Sequence, residues 1–251
     1  VPLPLLAHQA PVLPLKLWRP TAFNGTALVI GSMAPDFEYF VDTIRRVPFG
    51  HILRGQFGFC LPITMVLVLG IGHLRLGEVI AARLPGLAWL RDAATDVTTE
   101  GGLVRAVASA LAGSFSHVVL DLLTHDWIPR LLPQGTFHFL GVTGVTSTVV
   151  QLVASVGCAV VTMVLLRRLV RRSAATSPPA RPGGAVLGAC AALGVVIALA
   201  RSLPALRQPH AYFDAGPVYV WGQTAFFLAC GFVGGVLAGA VPLAVWDRRA
   251  A

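Results

Sequence analysis

Five apolar runs, at residues 55–74, 103–123, 142–166, 185–203 and 218–240, each approach the ~20 residues a helix needs to cross a bilayer. Hydrophobic types make up 55% of the 251 residues and charged types only 12%, about half the ~25% usual for soluble domains. So few charges cannot cover a water-facing surface. That excludes an ordinary cytosolic enzyme, a disordered protein and a secreted disulfide scaffold. The expected fold is all-α: a polytopic membrane protein with five to six transmembrane helices plus interfacial or re-entrant helices.

The segments between these runs refine the picture. Residues 22–34 form an apolar stretch too short to span, ending at Pro35, which suits the first turn of a new helix. Leu76, Val79, Ile80, Leu84, Leu87 and Leu90 recur at helical spacing among Arg75, Glu78, Arg83 and Arg91, as in a helix lying in the interface. Pro242 is expected to bend or end the last helix. Gly231, Gly235 and Gly239 share one helix face and allow close packing, within or between chains. A Pro/Gly/Ser-rich linker, 173–184, separates an N-terminal membrane region, 1–172, from a C-terminal transmembrane hairpin, 185–251.

The net charge is +8, and every basic residue except Lys16 is Arg, as in the product of a GC-rich bacterial genome. In a membrane chain such charge reads as basic loops beside headgroups, with no nucleic-acid partner. Arg167, Arg168, Arg171, Arg172, Arg181, Arg248 and Arg249 gather on one side once the spans alternate. That side is expected to be cytoplasmic, in a bacterial inner membrane. Cys60, Cys158, Cys190 and Cys230 lie in apolar runs without CxxC spacing and read as small hydrophobes.

Six of the seven histidines, all except His73, assign to the other, extracytoplasmic side. The sharpest pattern is His117-x3-Asp121-x3-His125, in GSFSHVVLDLLTHDW. Each four-residue step advances an α-helix by about 400°, so the three side chains can share one face. Imidazole and carboxylate are ligands for zinc and similar divalent ions. A carboxylate inside an apolar span, such as Asp121, is usually paired or functional. Asp36 in GSMAPDFEYF, His51 in FGHILRG and His8 in LLAHQAPV complete a candidate set drawn from four segments. Ser114 and Ser116 precede His117, but no Ser-His-Asp arrangement, GxSxG, HExxH or Walker loop is present.

The series AHxA, IGSMAPDFEY, GH, a span and GSFSHVVLDLLTH resembles the domain-of-unknown-function family 4184 of bacterial membrane proteins. It is more distantly similar to the membrane-bound metal-dependent hydrolase-like family, with a weaker echo of zinc-dependent phospholipase C. The resemblance covers about residues 5–130. It implies metal-ligand roles for His8, Asp36, His51, His117 and Asp121, with His125, Asp126 or His138 as further ligands should a second ion bind.

The leading expectation is a membrane-embedded hydrolase using a divalent metal, zinc or else manganese, on a lipid-borne or membrane-associated ester or phosphoester. Glu38 or Asp126 would act as general base, and Arg45, Arg46 and Arg54 could hold a phosphate. One alternative is a non-enzymatic integral membrane scaffold with a structural His/Asp cluster. Another is an isoprenoid cyclase or transferase, although no DDxxD motif occurs. Oligomeric state is not legible in the chain.

Overall fold

A computed structural model describes residues 7–40, 49–84, 87, 90, 97, 99–139, 142–174, 181–207 and 217–250. Its helices are α1 (Leu13–Trp18), α2 (Gly25–Gly31), α3 (Leu53–His73), α4 (Leu76–Arg83), α5 (Glu100–Leu131), α6 (Thr146–Ala174), α7 (Gly184–Arg207) and α8 (Pro217–Ala250). Segments of α3, α5, α6, α7 and α8 are long and apolar enough to cross a membrane, and only 17–33% of each is buried within the chain. Exposed Val153, Val160 and Met163 on α6 are the side chains a lipid solvent would accept.

Local chemistry sets where the helices begin. Asn24 caps α2 by accepting the Ala27 N–H at 2.9 Å, and its own N–H donates to Ser109 Oγ on α5 at 2.9 Å. Thr99 caps α5 by accepting from Gly102 N at 3.1 Å. Where α2 crosses α5, a side chain on Gly31 would overlap the Ala110 carbonyl, and one on Gly113 would overlap the Leu28 carbonyl. These two glycines let the backbones touch, so the end of α2 lies against the part of α5 that carries His117.

The C-terminal hairpin packs by the same device. Gly231 lies on Gly194, Gly235 on Cys190 and Ala191, and Gly239 on the Cys190 side chain. The glycine face therefore serves packing within the chain. Pro242 lies inside α8 without ending it. Its missing N–H removes one backbone bond, which a 34-residue helix clamped along α7 absorbs.

The stripe expected to lie in the interface is covered by protein instead: Leu76, Val79 and Ile80 of α4 form a core with Leu187, Ala240 and Ala244. Buried Arg83 locks this contact. It donates two hydrogen bonds to the Asp247 carboxylate, at 3.0 and 2.8 Å, and one each to the Pro182 and Val79 carbonyls. The run beginning at 142 also needs correcting. Residues Val142–Val145 pair with Thr136–Phe139 as an antiparallel hairpin (β1, β2), and the helix starts only at Thr146. The β-branched residues there favour a strand, and α6 gains its length at the other end.

His73, Arg83, Asp247 and Arg248 collect at one end of the bundle, where Arg248 donates to the His73 carbonyl. His51, just before α3, marks the opposite end. All four cysteines are free thiols. Trp18, Trp127 and Trp246 are exposed near helix ends, as an aromatic belt requires.

Candidate metal centre

Four segments converge at the end marked by His51. Asp36 lies in the first turn of a 3-10 helix, Ala34–Phe40, that follows α2. His51 closes a second 3-10 turn, Phe49–His51. His117 and Asp121 lie on α5, and His8 precedes α1.

The backbone at the end of α2 orients His117. The last carbonyls of a helix have no intrahelical partner, and the Ser32 carbonyl accepts a hydrogen bond from His117 Nδ1 at 2.8 Å. That bond fixes the proton on Nδ1 and leaves the Nε2 lone pair facing the other groups. His8 stacks on the same ring, with centroids 3.7 Å apart and planes 14° apart.

The loop carrying His51 is held from both sides. Gly50 N donates to Glu38 Oε2 at 2.8 Å, and the Gly50 carbonyl accepts from Gln56 Nε2. A Cβ on Gly50 would lie 2.9 Å from the Pro35 carbonyl oxygen, so this close approach to the Asp36 segment requires glycine. Both long helices carry π-helical stretches beside the site, Gln56–Cys60 and Leu122–Trp127. Such stretches recur at functional sites because they re-aim side chains without breaking the helix.

The polar atoms form a tight nest. His117 Nε2 is 3.5 Å from Asp36 Oδ1, 3.4 Å from Asp121 Oδ2 and 3.3 Å from His51 Nε2. His51 Nε2 is 3.3 Å from Asp121 Oδ2 and 3.7 Å from Asp36 Oδ1, and His8 Nε2 is 3.7 Å from Asp121 Oδ1. Two groups, His8/Asp36/His117 and His51/His117/Asp121, each bring their ligand atoms within 4.8 Å of one another. Ligands about 2.1 Å from a single ion, at tetrahedral or octahedral angles, lie about 3.0–3.4 Å apart. The nest is close to that spacing.

The hydrogen-bond inventory points the same way. Among the described residues, neither ring nitrogen of His8 nor Asp121 Oδ1 has a hydrogen-bond partner, although all three are buried. Each such orphan costs about 1–3 kcal/mol, and a cation would resolve His8 Nε2 and Asp121 Oδ1 together. Burial holds the His8 imidazole well below its usual value, so it stays neutral and able to ligate. Burial pushes the Asp36 carboxyl up, with His117 pulling it back down.

The remaining sequence candidates are not among these two ligand groups. His125 Nδ1 lies 2.9 Å from the backbone oxygen of Asp121 and 3.8 Å from its Oδ1, at a partly exposed position. A π turn begins just after Asp121 and includes His125. Asp126 pairs with Arg130 at 3.1 Å on an exposed surface, whereas Glu38 is buried against Gly50. Ser114 and Ser116 donate to the Leu111 and Gly113 carbonyls. Arg54 is exposed, His138 falls in β1, and Arg45, Arg46 and His210 lie outside the described residues.

Sequence reasoning missed Gln56 and the Ser32 carbonyl. A buried amide opening an apolar span is a readable signal; a backbone carbonyl carries none. The family model described as Domain of unknown function (DUF4184) matches residues 1–244, so the chain belongs to that family along nearly its whole length, beyond the 5–130 carried by the motifs. Neither the curated proteins nor the solved structures contain a match.

Proposed function

We propose that this DUF4184 member is a membrane-embedded hydrolase that holds a single divalent ion and cleaves an ester or phosphoester of a lipid-borne substrate. The observation that carries the reading is the nest itself: three imidazoles and two carboxylates converge at ligand spacing, with buried orphan atoms that a metal-free hydrogen-bond staple would have satisfied. The single ion follows from His117. Its Nδ1 is committed to Ser32, and its one remaining lone pair belongs to both candidate triads. Nitrogen and oxygen donors without thiolate suit zinc, with manganese as the alternative.

When bound, such an ion supplies Lewis acidity that polarises a carbonyl or phosphoryl oxygen and acidifies water. The chain's own residues do the rest. Ser32 and Gly50 aim the imidazoles, the apolar spans limit bulk water, and Glu38 beside the nest is the better placed of the two proposed bases. Asp126 is already held by Arg130. We place the site on the extracytoplasmic side of a bacterial inner membrane, because the arginine-rich ends of α6 and α8 lie at the other end.

The test is release of product from ester and phosphoester lipids by protein in nanodiscs, stripped with chelator and then given zinc or manganese. Turnover that disappears on stripping and returns with metal supports the reading. Glu38→Gln, whose amide oxygen can still accept the Gly50 N–H, should lower kcat by about 100-fold or more with metal retained. A metal-loaded protein inert towards all these lipids would leave a scaffold with a structural ion.

A further inference from the structure

A recess opens beside the metal nest, lined by Ala7, His8, Leu120, Asp121, Thr124 and, from α6, Ala154 and Ser155. It is the side on which the nest meets a second candidate span. Two of its walls are nest residues that carry orphan atoms: buried His8, whose ring nitrogens have no hydrogen-bond partner among the described residues, and Asp121 through Oδ1. The opposite wall contributes Ser155, 3% exposed. A serine inside a helix usually returns its hydroxyl to a carbonyl of the preceding turn. Thr124 does so, donating to the Leu120 carbonyl at 2.9 Å. The Ser155 hydroxyl has no such bond among the described residues and stays available.

The surroundings select the kind of molecule that reaches this recess. Leu152, Val153 and Val156 flank Ser155 on α6 and are exposed, at 44%, 66% and 46%. The recess thus lies between two candidate spans whose outer faces are apolar. A lipid can present its head to such a recess from within the bilayer.

We propose that the recess between α5 and α6 is the lateral access route by which a membrane lipid brings its ester or phosphoester head to the nest, and that Ser155 is a positioning residue that donates a hydrogen bond to that head. The inference rests on the hydrolase reading for the chemistry that follows, but the binding step stands apart from it.

The test uses the full chain in nanodiscs with a phosphatidic acid probe carrying a diazirine near its carbonyl, followed by peptide mapping and metal analysis of the same samples. Crosslinks are expected at residues 120–124 and 154–155. Ser155→Leu, which fills the recess, should lower them at least about tenfold. Val153→Leu on the outer face of the same helix should not change them. Ser155→Ala should weaken them about fivefold, and Ser155→Thr should restore them. That rescue separates a hydrogen bond from mere packing and keeps the test valid if Ser155→Leu fails to fold. Unlabelled lipid should compete, and inorganic phosphate should not.

Crosslinks spread evenly along the outer face of α6 and indifferent to Ser155 would overturn the proposal. Equal competition by inorganic phosphate would overturn it too. Recess labelling in a protein that binds no metal would uphold the access route while sinking the hydrolase. A metal-bound protein without recess labelling would sink the access route and leave the metal centre standing.

Discussion

Glu38 and Gln56 hold the Gly50 peptide between them, and through it the ring of His51. Supporting groups of this kind commonly tune metal affinity by 10–100-fold. Gln56→Ala is therefore expected to weaken metal binding by about 10–100-fold in a chelator competition, with the helical content unchanged. Acid should act in the same direction. The folded protein holds His8 below its usual value, so between that lowered value and ~6.5 the unfolded chain binds the extra proton, and stability falls as the pH drops. Protons also compete for the imidazole lone pairs. Metal retention followed from pH 7.5 down to 5.5 should fall steeply below about pH 6.5. At this scale, His8, Asp36, His51, His117 and Asp121 were legible because charged or imidazole side chains stand out in an apolar chain. The Ser32 carbonyl was not, since every residue has one.

The crossing of α2 and α5 carries the site, and it depends on backbone contact at Gly31 and Gly113. Gly113→Val should force the helices apart at a cost of about 1–3 kcal/mol or more. Its expected signature is a lowered melting temperature in detergent together with weakened metal binding, since Ser32 would move away from His117. At the far end, Asp247→Asn leaves the buried Arg83 guanidinium without its anion and should destabilise α4 against the C-terminal hairpin. Because Asp247 is partly exposed, the loss should fall below the ~3–5 kcal/mol of a fully buried pair. The spans were legible as apolar runs whose starts lie within about four residues of their helices, while α5, α6 and α8 run on past the predicted ends to Leu131, Ala174 and Ala250. The burial of α4 was not, because helical periodicity reveals an apolar face without saying whether lipid or protein covers it. The hairpin at 136–145 was hidden for a similar reason: a short apolar stretch next to a span reads as more of the span.

Among the described residues, five candidate spans divide a His/Asp end from an Arg-rich end. The positive-inside rule predicts that the Arg-rich end faces the cytoplasm. A reporter fused after residue 250 should report that compartment, and a cysteine introduced at exposed Arg54 should react with an impermeant maleimide from outside. Reversed labelling would invert the orientation and leave the metal centre intact. The proposed function depends first on the ion. The measurement is metal content by mass spectrometry on protein purified in detergent without chelator or histidine tag, alongside His117→Ala and Asp121→Ala. The expected result is about one zinc or manganese per chain in the parent, lost in both variants while their helical spectra persist. A folded parent that holds no metal after reconstitution would contradict the account.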